Sequence, residues 1–328
     1  MSRLVGSSPQ PARVVGDRRR AVVALLIPLL IVMALVVALI WWGRPAVGVP
    51  GGAPAASPTG GITLVGAGDI GDCSATADAA TAALIKEIPG VVFTVGDNAY
   101  EKGSAHDFAD CYAPTWGQFL SRTRPAPGNH DYATKGAQGY FDYFASAAGP
   151  PDRGYYAYDL GAWRIYSLNS NCSSIGGCGQ GTAEYDWLVS DLKAHAAECV
   201  AAFWHHPRFS SGVHGNYSRM QAIWSALYHA GAELVIVGHD HDYERLVPLN
   251  GDGAPDPAHG IREIVVGTGG ANLRSFGNTI LATSQVRNDT SHGVLQLTLY
   301  PRSYDWRFVP VAGDAFTDSG SSPCHAAP

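Results

Sequence analysis

Four times between residues 62 and 241 a short apolar run stops at a residue that metals prefer. ITLVGAG precedes Asp69, VVFTVG precedes Asp97, CVAAFW precedes His205, and LVIVG precedes His239 and His241. Short apolar runs bounded by glycine read as strands buried in a sheet. In open α/β sheets, sites form in the crevice outside the carboxyl ends of such strands. Four strand ends carrying Asp, Asp, His and His-x-His therefore predict one convergent polar site. Gly68, Gly96, Gly128 and Gly238 each precede a polar group of this set, and glycine permits a sharp strand exit and close backbone approach.

Around these runs the pattern alternates. Strands are predicted over 62–67, 91–95, 200–204, 234–237, 263–266, 294–300 and 304–309. Helices are predicted over 77–88, 183–197 and 218–230, with 108–120 partly helical and Pro114 a break. Residues 155–169 read as a hairpin turning at Leu160-Gly161. Alternating βα units followed by hairpins imply a layered α/β domain with mixed sheets, spanning 62–315 and followed by a tail at 316–328.

The amino-terminal part differs. Residues 21–42 are 22 consecutive apolar residues. A helix of that length spans roughly 33 Å, enough for a hydrocarbon core of about 30 Å and longer than the apolar region of a signal peptide. Arg3, Arg13, Arg18, Arg19 and Arg20 precede it, so residues 1–20 form a basic cytoplasmic stub and the chain beyond the span lies outside. The expectation is a membrane anchor with an extracellular domain, the alternative being secretion after cleavage. Residues 43–61, rich in Gly, Pro and Ala, read as a linker. Net charge is −6 overall, and residues 43–328 hold 17 basic and 27 acidic groups, a net of −10. That exterior offers no basic field and argues against nucleic-acid binding.

The six cysteines, at 73, 111, 172, 178, 199 and 324, all lie beyond the apolar run. An even set in an exported domain favours disulfides. Cys172 pairs with Cys178 by proximity, which leaves Cys73–Cys111 and Cys199–Cys324 by elimination. A cysteine zinc site is the competing reading, disfavoured because no CxxC occurs.

Each polar motif has a bland reading on its own: GD after a strand is usually a turn, GNHD a loop, HHP one core and one surface histidine. GTGG at 267–270 lacks the Lys and the helix of a phosphate loop and reads as a turn. Together, two Asp, Tyr100, Asn129 and three His exceed the needs of one tetrahedral ion, so two ions sharing a carboxylate is the economical arrangement.

The set GDIG (68–71), GDNAY (96–100), GNHD (128–131), AFWH (202–205) and GHDH (238–241) resembles the ordered motifs of calcineurin-like metallophosphoesterases. Within that superfamily it is most similar to the purple acid phosphatases, over about residues 62–310. Gly71 stands where the wider superfamily has a ligand histidine, and Tyr100 supplies the replacement. Ala202 departs from the usual valine at an apolar position. The resemblance implies a four-layer αββα metallophosphoesterase sandwich with mixed β-sheets. It implies one ion held by Asp69, Asp97, Tyr100 and His241, and a second held by Asp97, Asn129, His205 and His239. The ions would be ferric iron plus a divalent iron, zinc or manganese. His130 and His214 would be the catalytic histidines. His206 fits a structural role beside Pro207 as well as a substrate contact.

The implied reaction is hydrolysis of phosphate monoesters by a metal-activated water, on a phosphorylated small molecule or peptide. A phosphodiesterase or nucleotide hydrolase would use the same residues. A non-catalytic surface binding protein is disfavoured because every ligand position and His130 are filled. Loops 104–112, 171–181 and 251–260 would set specificity.

Overall fold

In the computed structural model of the chain, residues 60–150 and 153–328 are described. The expected basic stub, the 21–42 anchor and all but the last two residues of the 43–61 linker lie outside the described residues. Among the described residues no helix is long and apolar enough to cross a membrane.

Two mixed sheets carry the architecture. The first comprises β1 (Ile62–Ala67), β2 (Val91–Val95), β3 (Thr123–Ala126), β11 (Gly293–Tyr300), β12 (Ser303–Pro310) and β13 (Ser319–Pro323). Their order is β13-β12-β11-β1-β2-β3, with β1, β2 and β3 parallel. The second comprises β4 (Tyr156–Leu160), β5 (Trp163–Ser167), β6 (Cys199–Phe203), β7 (Ala232–Val237), β8 (Tyr243–Leu246), β9 (Arg262–Val266) and β10 (Ser284–Asn288). Here the order is β10-β8-β9-β7-β6-β5-β4, and β5, β6, β7 and β9 run parallel. The chain passes through α1 (Ala77–Glu87), α2 (Gln138–Phe144), α3 (Ala183–Ala194) and α4 (Gln221–His229) on the way.

Strand alternation decides which layer each residue joins. In the second sheet Ile165, Ala201, Phe203, Leu234, Ile236, Ile264 and Val266 join the core shared with the first sheet. Their neighbours Tyr166, Val200, Ala202, Val235, Val237 and Val265 join a separate core with Leu188 of α3 and Ile223, Trp224 and Leu227 of α4. These strands are apolar on both faces because both are covered. Phe93 and Phe203 meet between the sheets at 5.9 Å, and burying such a ring is worth about 1.5–3 kcal/mol.

Strands the sequence pattern passed over have physical reasons to be inconspicuous. β3 (TRPA) contains Pro125 but is an edge strand, where proline is tolerated. β8 carries Glu244 and Arg245, buried and paired, Arg245 with Asp318 at 2.6 Å. β10 is a half-exposed edge. The 316–328 segment, read as a tail, is tied into the first sheet. β13 pairs with β12, Phe316 packs against Tyr243 and Phe308, and Cys324 bonds Cys199. Its Ser-Gly composition shows no apolar period; backbone pairing and the disulfide hold it. The other bridges are Cys73–Cys111 and Cys172–Cys178, as read from the sequence.

Candidate metal centre

The parallel strands of both sheets end at one place. β1 delivers Asp69, β2 delivers Asp97 and Tyr100, β3 delivers Asn129 and His130, β6 delivers His205, and β7 delivers His239 and His241. The β1 and β2 exits stay zipped beyond the sheet: Asp69, Ile70 and Gly71 N–H donate to the carbonyls of Gly96, Asp97 and Asn98 at 3.0, 3.0 and 2.9 Å.

The sharp exit is made largely by the polar residues themselves. Asp69, Asp97 and His239 have φ of 59°, 49° and 70°, left-handed conformations that cost non-glycine residues of order 1–3 kcal/mol each. Of the four preceding glycines, Gly96 alone is left-handed, at 89°. The others answer the need for close approach. A Cβ on Gly128 would lie 2.1 Å from Asp97 N, and one on Gly238 would lie 2.6 Å from Asp69 Oδ2.

All seven residues expected to hold metal converge. Tyr100 Oη lies 3.0 Å from Asp69 Oδ1 and 3.2 Å from His241 Nε2. His205 Nε2 lies 3.0 Å from Asn129 Oδ1 and 3.2 Å from His239 Nδ1. Asp97 Oδ2 stands between the two groups, 3.3 Å from Tyr100 Oη and 3.3 Å from His205 Nε2. Its other oxygen accepts from His130 N–H at 2.8 Å. Neighbours fix the ring orientations. His205 Nδ1–H donates to the Val95 carbonyl and His241 Nδ1–H to the Asn272 carbonyl, both at 2.8 Å. A carbonyl only accepts, so each ring carries a proton on Nδ1 and Nε2 is the nitrogen turned to a ligand, any proton on it being displaced when a cation binds.

The electrostatics fit cations. Asp69 and Asp97 are buried, with Tyr100 between them. Burial, then the Asp69 and Asp97 charges, push the Tyr100 phenol well above its ordinary pKa, so it becomes an anion only beside strong positive charge. Burial opposes ionisation of Asp97, yet the charge and hydrogen bond of His205 hold its carboxyl below the usual range. His239 is depressed by burial and by His205 and His206, and stays neutral with one ring nitrogen's lone pair available. Ligand atoms of Asp69, Asp97 and His205 all lie within 4.8 Å of one another, as do those of His205, His206 and His239. Oxygen and imidazole donors of this kind suit hard or borderline ions.

The remaining histidines border this cluster. His130 Nδ1–H donates to the Glu101 carbonyl at 2.7 Å, and its Nε2 lies 3.9 Å from Asp97 Oδ2. The His214 ring is 4.2 Å from that of His239. His206 stacks on Tyr217 at 4.5 Å, bonds Ser170, and lies 4.5 Å from His239. Burial, then His205, bring its pKa down to about 3. It therefore combines a packed position with proximity to the site.

Two residues within the motifs went unread. Asp131 Oδ2 accepts from Gly128 N at 2.8 Å and from Asn98 Nδ2 at 2.9 Å, tying the loops that carry Asp97 and Asn129. Asp240, fully buried between His239 and His241, holds His214. Their places in GNHD and GHDH were the available signal.

The calcineurin-like phosphoesterase family model matches residues 62–243. Purple acid phosphatase 15 of Arabidopsis thaliana is 26% identical over 233 residues, 58% of this chain and 42% of the plant protein. Purple acid phosphatase 21 of the same plant is 28% identical over 195 residues, 50% and 41%. The match thus spans about two fifths of those relatives. Among solved structures, the purple acid phosphatase PPD1 from yellow lupin (Lupinus luteus) seeds superposes with a TM-score of 0.67 at 18% identity, covering 82% of this chain and 54% of that one. GAP50, the anchor in the inner membrane complex of Plasmodium, gives 0.59 at 14%, covering 81% and 89%. These likenesses show the fold.

Proposed function

Because the chain belongs to the calcineurin-like phosphoesterase family and is similar to purple acid phosphatases, we propose that it hydrolyses phosphate monoesters at a two-metal centre. The observation that carries this reading is Asp97 Oδ2, equidistant at 3.3 Å from Tyr100 Oη and His205 Nε2, which links two ligand sets through one carboxylate. Asp69, Tyr100 and His241 would complete one ion's set, ferric iron in this reading because a phenolate favours a strongly charged ion. Asn129, His205 and His239 would complete the other, for divalent iron, zinc or manganese. Such a pair supplies Lewis-acid stabilisation of the phosphoryl oxygens and an acidified water.

The chain's own residues do the rest. The carbonyls of Val95 and Asn272 keep His205 and His241 aimed as ligands. His130, with Nδ1–H fixed on the Glu101 carbonyl, presents Nε2 toward the cluster and can pass a proton from that nitrogen to a departing alkoxide. Positioned acid catalysis of this kind is worth about 10²–10⁴-fold.

Three disulfides fit an oxidising compartment, and the 21–42 apolar run would anchor the domain on the outer face of a membrane. The layer assignment we favour is helix, sheet, sheet, helix, supported by the two cores on either side of the second sheet.

The test is elemental analysis of the purified protein together with rates on p-nitrophenyl phosphate and bis(p-nitrophenyl) phosphate. Two ions per chain and faster monoester turnover are expected. Preference for the diester shifts the reading to a phosphodiesterase, and metal-loaded protein inert on both esters overturns it.

A further inference from the structure

Beside the ligand cluster, three side chains outside it form a row. Asp240 is fully buried, and the loop after β6 is wrapped around its carboxylate. Ser210 Oγ donates to Oδ2, and the backbone N–H and Nδ1–H of His214 donate to Oδ1 at 3.0 and 2.8 Å. Gly212 passes so close that a Cβ there would lie 2.1 Å from Asp240 Cγ. The third member is Arg274, whose Nη1 donates to His214 Nε2 at 3.0 Å. Arginine only donates, so it needs a lone pair on Nε2. An ionised carboxylate only accepts, so it needs the proton on Nδ1. The two partners select the same tautomer of His214.

Resting on the reading of a phosphoesterase, we propose that Arg274 grips the phosphoryl group of the substrate. In the same proposal Asp240 is the positioning residue that holds His214, and through it the guanidinium, at the edge of the metal centre.

Arg274 is exposed, and among the described residues it forms no ion pair. Its neighbours are ligands for cations: its own N–H donates to the His241 carbonyl at 3.0 Å. The same loop is stitched to the first ligand motif, Ala271 N to Asp69 O and Gly269 N to Gly68 O, both at 2.9 Å. A guanidinium fixed beside a cation site is repelled by the occupied centre unless an anion lies between them. A phosphate with two or more unesterified oxygens can face the centre with one and Arg274 with another. Guanidinium geometry suits such a pair of oxygens, and one N–H is already used to hold the side chain in place. The acidic exterior, net −10 over residues 43–328, makes a dedicated cation at the mouth more consequential for anion capture.

The test uses the full chain loaded with its metals, and inorganic phosphate as the probe, bound by calorimetry. R274Q should weaken phosphate binding about 10- to 100-fold, the range of a hydrogen bond to a charged group. It should raise KM for a monoester more than it lowers kcat, with metal content as in wild type. R274K should recover part of the affinity. In D240L, which removes both oxygens, the His214 ring proton, followed by ¹⁵N NMR on metal-free protein, should no longer be confined to Nδ1, and phosphate affinity should fall. R274Q binding phosphate as tightly as wild type overturns the role of Arg274. D240L with an unchanged tautomer and affinity overturns that of Asp240. Phosphate bound through Arg274 by a protein that hydrolyses no ester leaves this inference standing and removes the hydrolase reading alone.

Discussion

Replacing both cysteines of each disulfide by alanine, one pair at a time, separates chain entropy from support of the metal centre. The three loops do not overlap. Cys199–Cys324 closes a separation of 125 residues, for which loss of denatured-state entropy is worth about 4.9 kcal/mol. Cys73–Cys111 closes 38, worth about 3.9 kcal/mol, and Cys172–Cys178 closes 6, worth about 2.2 kcal/mol. Folded domains are stable by only about 5–15 kcal/mol, so losing the longest bridge should lower Tm by about 10–20 °C. Function should follow a different order. Cys199 opens β6, at the end opposite His205, so metal content should survive its removal at low temperature. Cys111 Sγ lies 3.8 Å from the Tyr100 carbonyl, and Cys73 follows the GDIG loop closely. Loss of this bridge should therefore weaken metal retention as well as stability. Urea unfolding gives the first ranking and elemental analysis after dialysis the second. The reasoning is refuted if removing Cys172–Cys178 destabilises more than removing Cys199–Cys324, or if the latter alone strips the metal.

Asp97→Ala should leave fewer than one ion per chain by elemental analysis and reduce phosphatase turnover to near background, because the lost carboxylate serves both ligand sets. Tyr100→Phe should abolish any visible absorption band of the oxidised, iron-loaded protein; a band that persists removes Tyr100 from the ligand set. Glu184, fully buried in the first turn of α3, gives a pH-dependent stability term. Burial pushes its pKa from 4.5 up to about 8 against the Asn169 hydrogen bond. The folded state therefore holds the proton more tightly. Its contribution is full below pH 4.5 and is lost as pH rises toward about 8, with a slope of up to about 1.4 kcal/mol per pH unit. Glu184→Gln should flatten the fall in Tm across that window, and an unchanged Tm–pH profile would refute the assignment.

Six of the seven candidate ligands were legible because each follows a strand covered on both faces; Asn129, after the edge strand β3, was carried by its GNHD motif. β1, β2, β6 and β7 are predominantly apolar toward their carboxyl ends, so a polar residue just beyond stands out against the run. Structure whose support comes from elsewhere in the chain was not legible. β3 is held as an edge despite Pro125, β8 buries Glu244 against Ser211 and Arg245 against Asp318, and β13 is a Ser-Gly strand fastened by Cys324. Asp131 and Asp240 lie inside motifs that were read, yet their roles depend on Asn98 and on the 210–214 loop folding over them. Arg274 is an exposed arginine in a loop, and only its contact with His214 distinguishes it. The conformation of Asp69, Asp97 and His239 was equally hidden, since a preceding glycine was the visible explanation for a sharp exit.

That left-handed backbone bears on how metal and fold depend on each other. Three ligands carry strain of order 1–3 kcal/mol each, and two buried carboxylates crowd a phenol that burial and their charges keep protonated. None of this favours the folded chain without cations. The surroundings hold it in place: the zipped β1 and β2 exits, Asp131 across two loops, Asp240 within another, and the Cys73–Cys111 bridge behind Tyr100. A centre assembled in advance in this way spends little free energy on reorganisation when ions arrive, so binding energy appears as affinity and as stability of the native state. It follows that loosening a supporting contact, with every ligand intact, should reduce metal affinity through the same linkage. The residues that matter to the centre therefore extend past the seven expected to hold the ions.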